Sequence, residues 1–158
     1  MANLTRRRFV AGLSLLPFLP SPGFAQTALP KMTVTKDPTC GCCGSWTKYL
    51  RADGFAVDVI KNTNMDRVKA DRGVPTELHS CHTAEIGGYV IEGHVPADAI
   101  RRLLTERQQA TGLAVAGMPQ SAPGMDVPAA SDIYDVTLFS ASTQKRFARY
   151  QGLRNVSN

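Results

Sequence analysis

All four cysteines of this 158-residue chain fall in two short segments, Cys40-Gly41-Cys42-Cys43 and Cys81 within His79-Ser80-Cys81-His82. Three chemistries compete for them. Structural disulfides suit an oxidising compartment and an even count. Spacing argues against them, because adjacent Cα atoms lie about 3.8 Å apart, too close for an unstrained Cys42–Cys43 bridge. Thiol–disulfide exchange fits Cys40 and Cys43, which satisfy C-x-x-C between an expected strand and an expected helix. A helix N-terminus there favours the nucleophilic thiolate. Cys42 is the difficulty for this second reading, since a third thiol inside the motif competes for the disulfide.

The third chemistry is a soft-metal site. Three thiols in four residues present several sulfurs to one small volume, and such donors select Cu(I), zinc or iron–sulfur clusters. Zinc knuckles usually separate their ligands by two to four residues, which C-x-C-C fits less well. Met118 and Met125, in Gly-Met-Pro and Gly-Met-Asp contexts, tip the balance, because thioethers are poor zinc ligands and good Cu(I) ligands. The candidate donors are Cys40, Cys42, Cys43, Cys81, His79, His82, Met118 and Met125. On a strand His79 and Cys81 share a face; in a turn His82 joins them. His94, just before Pro96 at a helix start, reads equally well as a packed or capping histidine and is left outside this set. Met32, Met65, Trp46 and Tyr49 are core candidates. Four thiolates balance up to four cuprous charges, whereas a single Cu(I) leaves about three excess negative charges. Only Lys48 lies nearby in sequence to offset them, so more than one copper per chain is expected.

The N-terminus reads as an address. Thr5-Arg6-Arg7-Arg8-Phe9 is a twin-arginine-type basic region, Val10 to Leu19 is apolar but broken by Gly12 and Pro17, and Gly23-Phe24-Ala25 offers a small-x-small cleavage site. Cleavage after Ala25 leaves 133 residues, and loss of three arginines takes the formal charge from +5 to +2. No basic run remains to suggest a nucleic-acid partner, and no membrane association is expected after cleavage. The expected location is the periplasm, with copper ions and other periplasmic copper-handling proteins as partners. Residues 26–31 form a leader and 32–158 a single domain.

Within that domain, Met32–Thr35 alternates as a strand, and Ser45–Asp53 carries Trp46, Tyr49 and Leu50 at helical spacing. A strand is expected at Phe55–Ile60, a short helix at Asn64–Asp71, a strand at Ile86–Ile91 and a strong helix from Pro96 to Gln108. A short strand at Leu113–Ala116 precedes a loop from Gly117 to Ala130. Tyr134–Phe139 and Gln144–Tyr150 form a terminal hairpin. This order predicts a mixed α/β sheet flanked by helices. The loop Arg72-Gly73-Val74-Pro75-Thr76 looks like the one that presents a cis-proline to the reactive cysteines of thioredoxins.

Four motifs together resemble the CopG-type family of periplasmic copper proteins. They are Cys-Gly-Cys-Cys-Gly at 40–44, Ser-Cys-His-Thr-Ala at 80–84, Gly-Tyr-Val-Ile-Glu-Gly-His-Val-Pro-Ala at 88–97, and Gly-Met-Pro…Pro-Gly-Met at 117–125. The resemblance runs from about Met32 to Tyr150. It implies a thioredoxin-like fold (to which the residue pattern adds a C-terminal β-hairpin), a role in copper resistance, and a cysteine site holding several coppers that cycles between Cu(I) and Cu(II). The ligands it implies are Cys40, Cys42, Cys43 and Cys81, supplemented by His82 and the loop methionines. One departure stands in the methionine loop, where a glycine is expected nearer Gln120. Sequestering copper, delivering it and changing its oxidation state as a copper oxidoreductase all stay open, beside the thiol–disulfide oxidoreductase using Cys40 and Cys43.

Overall fold

The computed structural model describes residues 28–127 and 131–157; the expected signal at 1–25 and its cleavage point lie outside the described residues. β1 (Met32–Lys36) pairs parallel with β2 (Val57–Lys61) and antiparallel with β3 (His82–Ile86). β3 turns back into β4 (Tyr89–Glu92), and β5 (Gly112–Ala114) joins β4 in parallel. β6 (Ile133–Phe139), β7 (Gln144–Gln151) and β8 (Arg154–Asn155) continue antiparallel, with a bulge between Val136 and Thr137. The order across the sheet is β2-β1-β3-β4-β5-β6-β7-β8. The expected mixed α/β sheet with a C-terminal hairpin is present.

Two differences from the sequence reading matter for the site. The strand expected over 86–91 is instead the turn of a hairpin. Gly87 (φ 56°) and Gly88 (φ 86°) both take positive φ, the requirement of the two-residue turn that matches strand twist. The hairpin places Thr83 opposite Glu92, so His82 and the residues after Glu92 emerge at one end of the sheet. The first helix, α1 (Gly41–Ala52), begins four residues before the expected Ser45, so that Cys42 and Cys43 lie in its first turn. Cys40 is its N-cap, and its sulfur accepts a hydrogen bond from the Cys43 amide at 3.4 Å. Glycines at 41 and 44 disguised this start as a loop. α2 (Met65–Asp71) is capped by Asn64, and α3 (Ala97–Glu106) follows Pro96. Among the described residues every peptide bond is trans, Pro75 included, so the 72–76 loop presents no cis-proline.

Strand alternation sorts the core into two faces. Met32, Val34, Ala84, Ile91, Leu113 and Leu138 pack with Trp46 and Leu50 of α1 and with Ile100 and Leu103 of α3. Their neighbours Val90, Ala114 and Phe139 point to the opposite face, against Val74 and Leu78 in the segment after α2. The same alternation puts Lys36 and His82, partners in the β1–β3 register, on the α1 face. Two strand ends and the N-terminus of α1 therefore meet at one place.

Candidate metal centre

The sulfur side of the site is built on α1. Cys40 and Cys43 are joined as a disulfide with their Cα atoms 5.6 Å apart, while Cys42 and Cys81 are free thiols. Cys42 Sγ lies 3.6 Å from Cys40 Sγ and 3.9 Å from Cys81 Sγ, so all four sulfurs gather in one small volume. No acidic residue sits in the first turn of α1. Its unpaired backbone N–H groups therefore favour anionic sulfur without competition.

The imidazole side is assembled from the β3–β4 hairpin. Cys81 Sγ lies 3.2 Å from His82 Nδ1 and 3.1 Å from His94 Nε2. Both rings are fully buried. His94 Nδ1 donates to the Pro123 carbonyl at 2.8 Å, which leaves the Nε2 lone pair aimed at Cys81. His82 packs against Trp46, ring centroids 4.3 Å apart, and edge-on against His94 at 5.0 Å. The buried His82 Nε2 has no hydrogen-bond partner. Burial holds both imidazoles below the usual histidine range, with the neighbouring His94 adding to the effect on His82. Both are neutral donors at pH 7. Burial, then the neighbouring Cys42, pushes the Cys81 thiol up to about 12, so without a metal it keeps its proton.

Beneath these donors lies a buried polar frame on the opposite face. Glu92 is fully buried; its Oε1 accepts from Lys69 Nζ at 2.5 Å and from the Ser80 amide at 2.6 Å, and its Oε2 accepts from the Thr83 hydroxyl at 2.7 Å. One carboxylate thus ties α2, the hairpin and the loop carrying Cys81 together. Removing one partner of such a pair costs about 3–5 kcal/mol, because the other charge is left buried alone. The expectation that Lys48 is the only cation near the cysteines is corrected here. Lys36 is buried at the end of β1, and its Nζ donates to the Cys40 carbonyl at 2.7 Å.

Of the donors expected from sequence, Cys40, Cys42, Cys43 and Cys81 form one group, and Cys81 also forms a second with His82 and His94. His79 stands apart from both groups: it ends the short 3-10 turn Thr76–Leu78, with Nε2 3.2 Å from the Val74 carbonyl. Met118 is 56% exposed, while Met125 packs partly buried against the main core. Their loop nonetheless abuts the centre. The Ser80 hydroxyl donates to the Gly117 carbonyl, Pro123 receives His94, and Gly124 (φ 81°) lies so close to Trp46 that a Cβ would come within 2.6 Å of its Cα. His94 is the donor left outside the expected set, although it was weighed there and lies within the Gly-Tyr-Val-Ile-Glu-Gly-His-Val-Pro-Ala motif at 88–97.

The chemistry on offer is four sulfurs and two neutral imidazole nitrogens around a shared thiol, a donor set suited to Cu(I) and able to tolerate Cu(II) through nitrogen. A family model described as "Protein of unknown function, DUF411" matches residues 78–125, which include Cys81, both buried histidines and the methionine loop. No curated protein matches the chain. A solved structure described as "Copper resistance protein copG- Form 1" is 41% identical, covering 78% of this chain and 99% of its own, with a TM-score of 0.73. "Copper resistance protein copG- Form 2" is also 41% identical, covering 77% and 98%, with a TM-score of 0.74. A likeness of that extent, over elements that include the N-terminus of α1 and the β3–β4 hairpin, means that the chain belongs to the CopG copper-resistance family.

Proposed function

We propose that this protein confers copper tolerance by holding Cu(I), more than one ion per chain, between its sulfur and imidazole donors. The observation that carries the reading is the double membership of Cys81, whose sulfur lies 3.9 Å from Cys42 Sγ and 3.1 Å from His94 Nε2. A thiolate so placed can bridge two ions. The proposal includes export: the twin-arginine-type signal carries the chain to the periplasm, where it works as a thioredoxin-like domain after cleavage at Ala25. The β2-β1-β3-β4 order, with cysteines at the N-terminus of α1, supports that fold kinship.

Filling the sulfur side first requires the Cys40–Cys43 bond to take up two electrons and two protons from a thiol reductant. The site then exchanges those protons for cuprous ions. Passage between Cu(I) and Cu(II) is eased by the two nitrogens. Elemental analysis of reduced protein, loaded anaerobically and stripped of weakly held metal, tests the reading. Several coppers per chain, sharply fewer in Cys42→Ser, are expected; a single copper or none overturns it.

One observation favours a second reading. The Cys40–Cys43 disulfide caps a helix N-terminus, the placement of a thiol–disulfide oxidoreductase. Under that reading Cys42→Ser keeps or gains disulfide-exchange activity, because the competing thiol is gone. Under the copper reading it loses metal.

A further inference from the structure

We propose that Lys36 is the counter-ion of the copper–thiolate site, a fixed buried charge that raises its affinity for Cu(I) and its preference for Cu(I) over Cu(II). The inference rests on the copper reading above and assigns a role to a residue outside the ligand set.

Lys36 is only 8% exposed. An ammonium so placed is costly unless something anionic faces it. Its Nζ donates to two backbone carbonyls, Cys40 at 2.7 Å and Asp37 at 3.0 Å. Among the described residues no carboxylate lies within ion-pair distance of it. Asp37, its sequence neighbour, is partly exposed, and its Oδ1 is engaged by the Thr39 amide at 2.8 Å and by the Thr39 hydroxyl. Lys69 shows what the fold does with a buried lysine that serves structure alone: it supplies Glu92 at 2.5 Å. Lys36 receives no such partner and instead grips the residue that opens the cysteine cluster.

The missing negative charge is the one that copper loading creates. Nζ bonds the carbonyl of Cys40, so covalent geometry keeps it within about 7 Å of the sulfur of that residue. Directly across the β1–β3 register stands His82, so Lys36 faces the imidazole side of the site as well as Cys40. In the reduced, metal-loaded site the thiolates outnumber the cuprous charges unless every sulfur has its own ion, and Lys36 offsets one unit of the excess. Reducing Cu(II) to Cu(I) adds an electron to the same volume, and a fixed positive charge at this range favours that step.

The test uses the purified protein, reduced and loaded anaerobically, with Lys36→Gln, Lys36→Met and Lys36→Arg. Gln keeps a donor for the two carbonyls without charge, Met removes both, and Arg keeps the charge. Binding is read by competition with a chromogenic Cu(I) chelator, the copper potential by electrochemistry, and folding by circular dichroism and urea unfolding of the metal-free forms. The expected result is a Cu(I) constant at least tenfold lower in both Lys36→Gln and Lys36→Met. Their Cu(II)/Cu(I) equilibrium shifts about tenfold toward Cu(II), which is about 59 mV for one electron. Lys36→Arg stays near the wild type in both readings. Folded Lys36→Gln that matches the wild type in both affinity and potential overturns the inference while leaving copper binding intact. Wild-type protein that binds no copper overturns the underlying reading, and the inference with it.

Discussion

The two halves of the centre differ in how they are made. The sulfur side is local: Cys40, Cys42 and Cys43 fall within a span of four residues, and a helix start is enough to gather them. The imidazole side is topological: His94 follows Cys81 by thirteen residues and returns to it only because the Gly87-Gly88 turn folds β4 back on β3. The local half is oxidisable, and its outer cysteines are joined as a disulfide. The topological half is buried, neutral and held by a hydrogen bond to Pro123, so it survives a change in thiol redox state. A site built this way can lose its sulfur grip on copper while keeping a nitrogen one. Cys81 is the hinge of the comparison, being the single donor that belongs to both.

The comparison breaks most completely at that residue. On the proposed reading Cys81→Ser removes the donor common to both groups, and a fall of more than about 100-fold in Cu(I) affinity, with fewer coppers bound per chain, is expected by chelator competition. A variant that still binds several coppers tightly would show the halves to be independent. His94→Gln spares the sulfur side; about a 10–100-fold loss of affinity is expected, with the cysteine-bound copper retained. Acidity separates the halves more gently. The Cys81 thiol, pushed up to about 12, must release its proton when metal binds, whereas burial holds the two imidazoles below their usual range and favours their unprotonated form. Binding is therefore expected to release at least one proton, from sulfur, and the apparent constant to rise at least about tenfold per pH unit between 6.5 and 8. A pH-independent constant across that window would mean that Cys81 is not a ligand. The smallest effect belongs to Met118→Leu. An exposed thioether on the loop changes affinity by less than about tenfold, measured in the same competition assay.

What was legible in the sequence follows the same division. Local pattern gave the cysteine cluster and the amphipathic stripe of α3. It also gave β1, β2 and the β6–β7 hairpin, within two residues or so. Read as one apolar run, Ile86-Gly87-Gly88-Tyr89-Val90-Ile91 concealed a hairpin, although paired glycines are themselves a turn signal. Without the hairpin, His94 reads no better as a ligand than as a packed histidine, since only the return of β4 along β3 brings residue 94 to residue 81. Lys36 falls one residue past the strand expected over Met32–Thr35, and only the fold shows its buried Nζ turning back to the Cys40 carbonyl four residues on. His79 was overvalued because it flanks Cys81 in sequence, yet it faces Val74 instead. Proximity along the chain indicates ligands well on a helix turn and poorly across a sheet.

X-ray absorption at the copper edge of reduced, Cu(I)-loaded protein tests the central claim most directly. The account predicts a mixed coordination shell of sulfur and nitrogen with a copper–copper vector, the nitrogen contribution falling in His94→Gln and the copper–copper vector vanishing in Cys81→Ser. A sulfur-only shell that is indifferent to His94, or one copper with no metal neighbour, would contradict it.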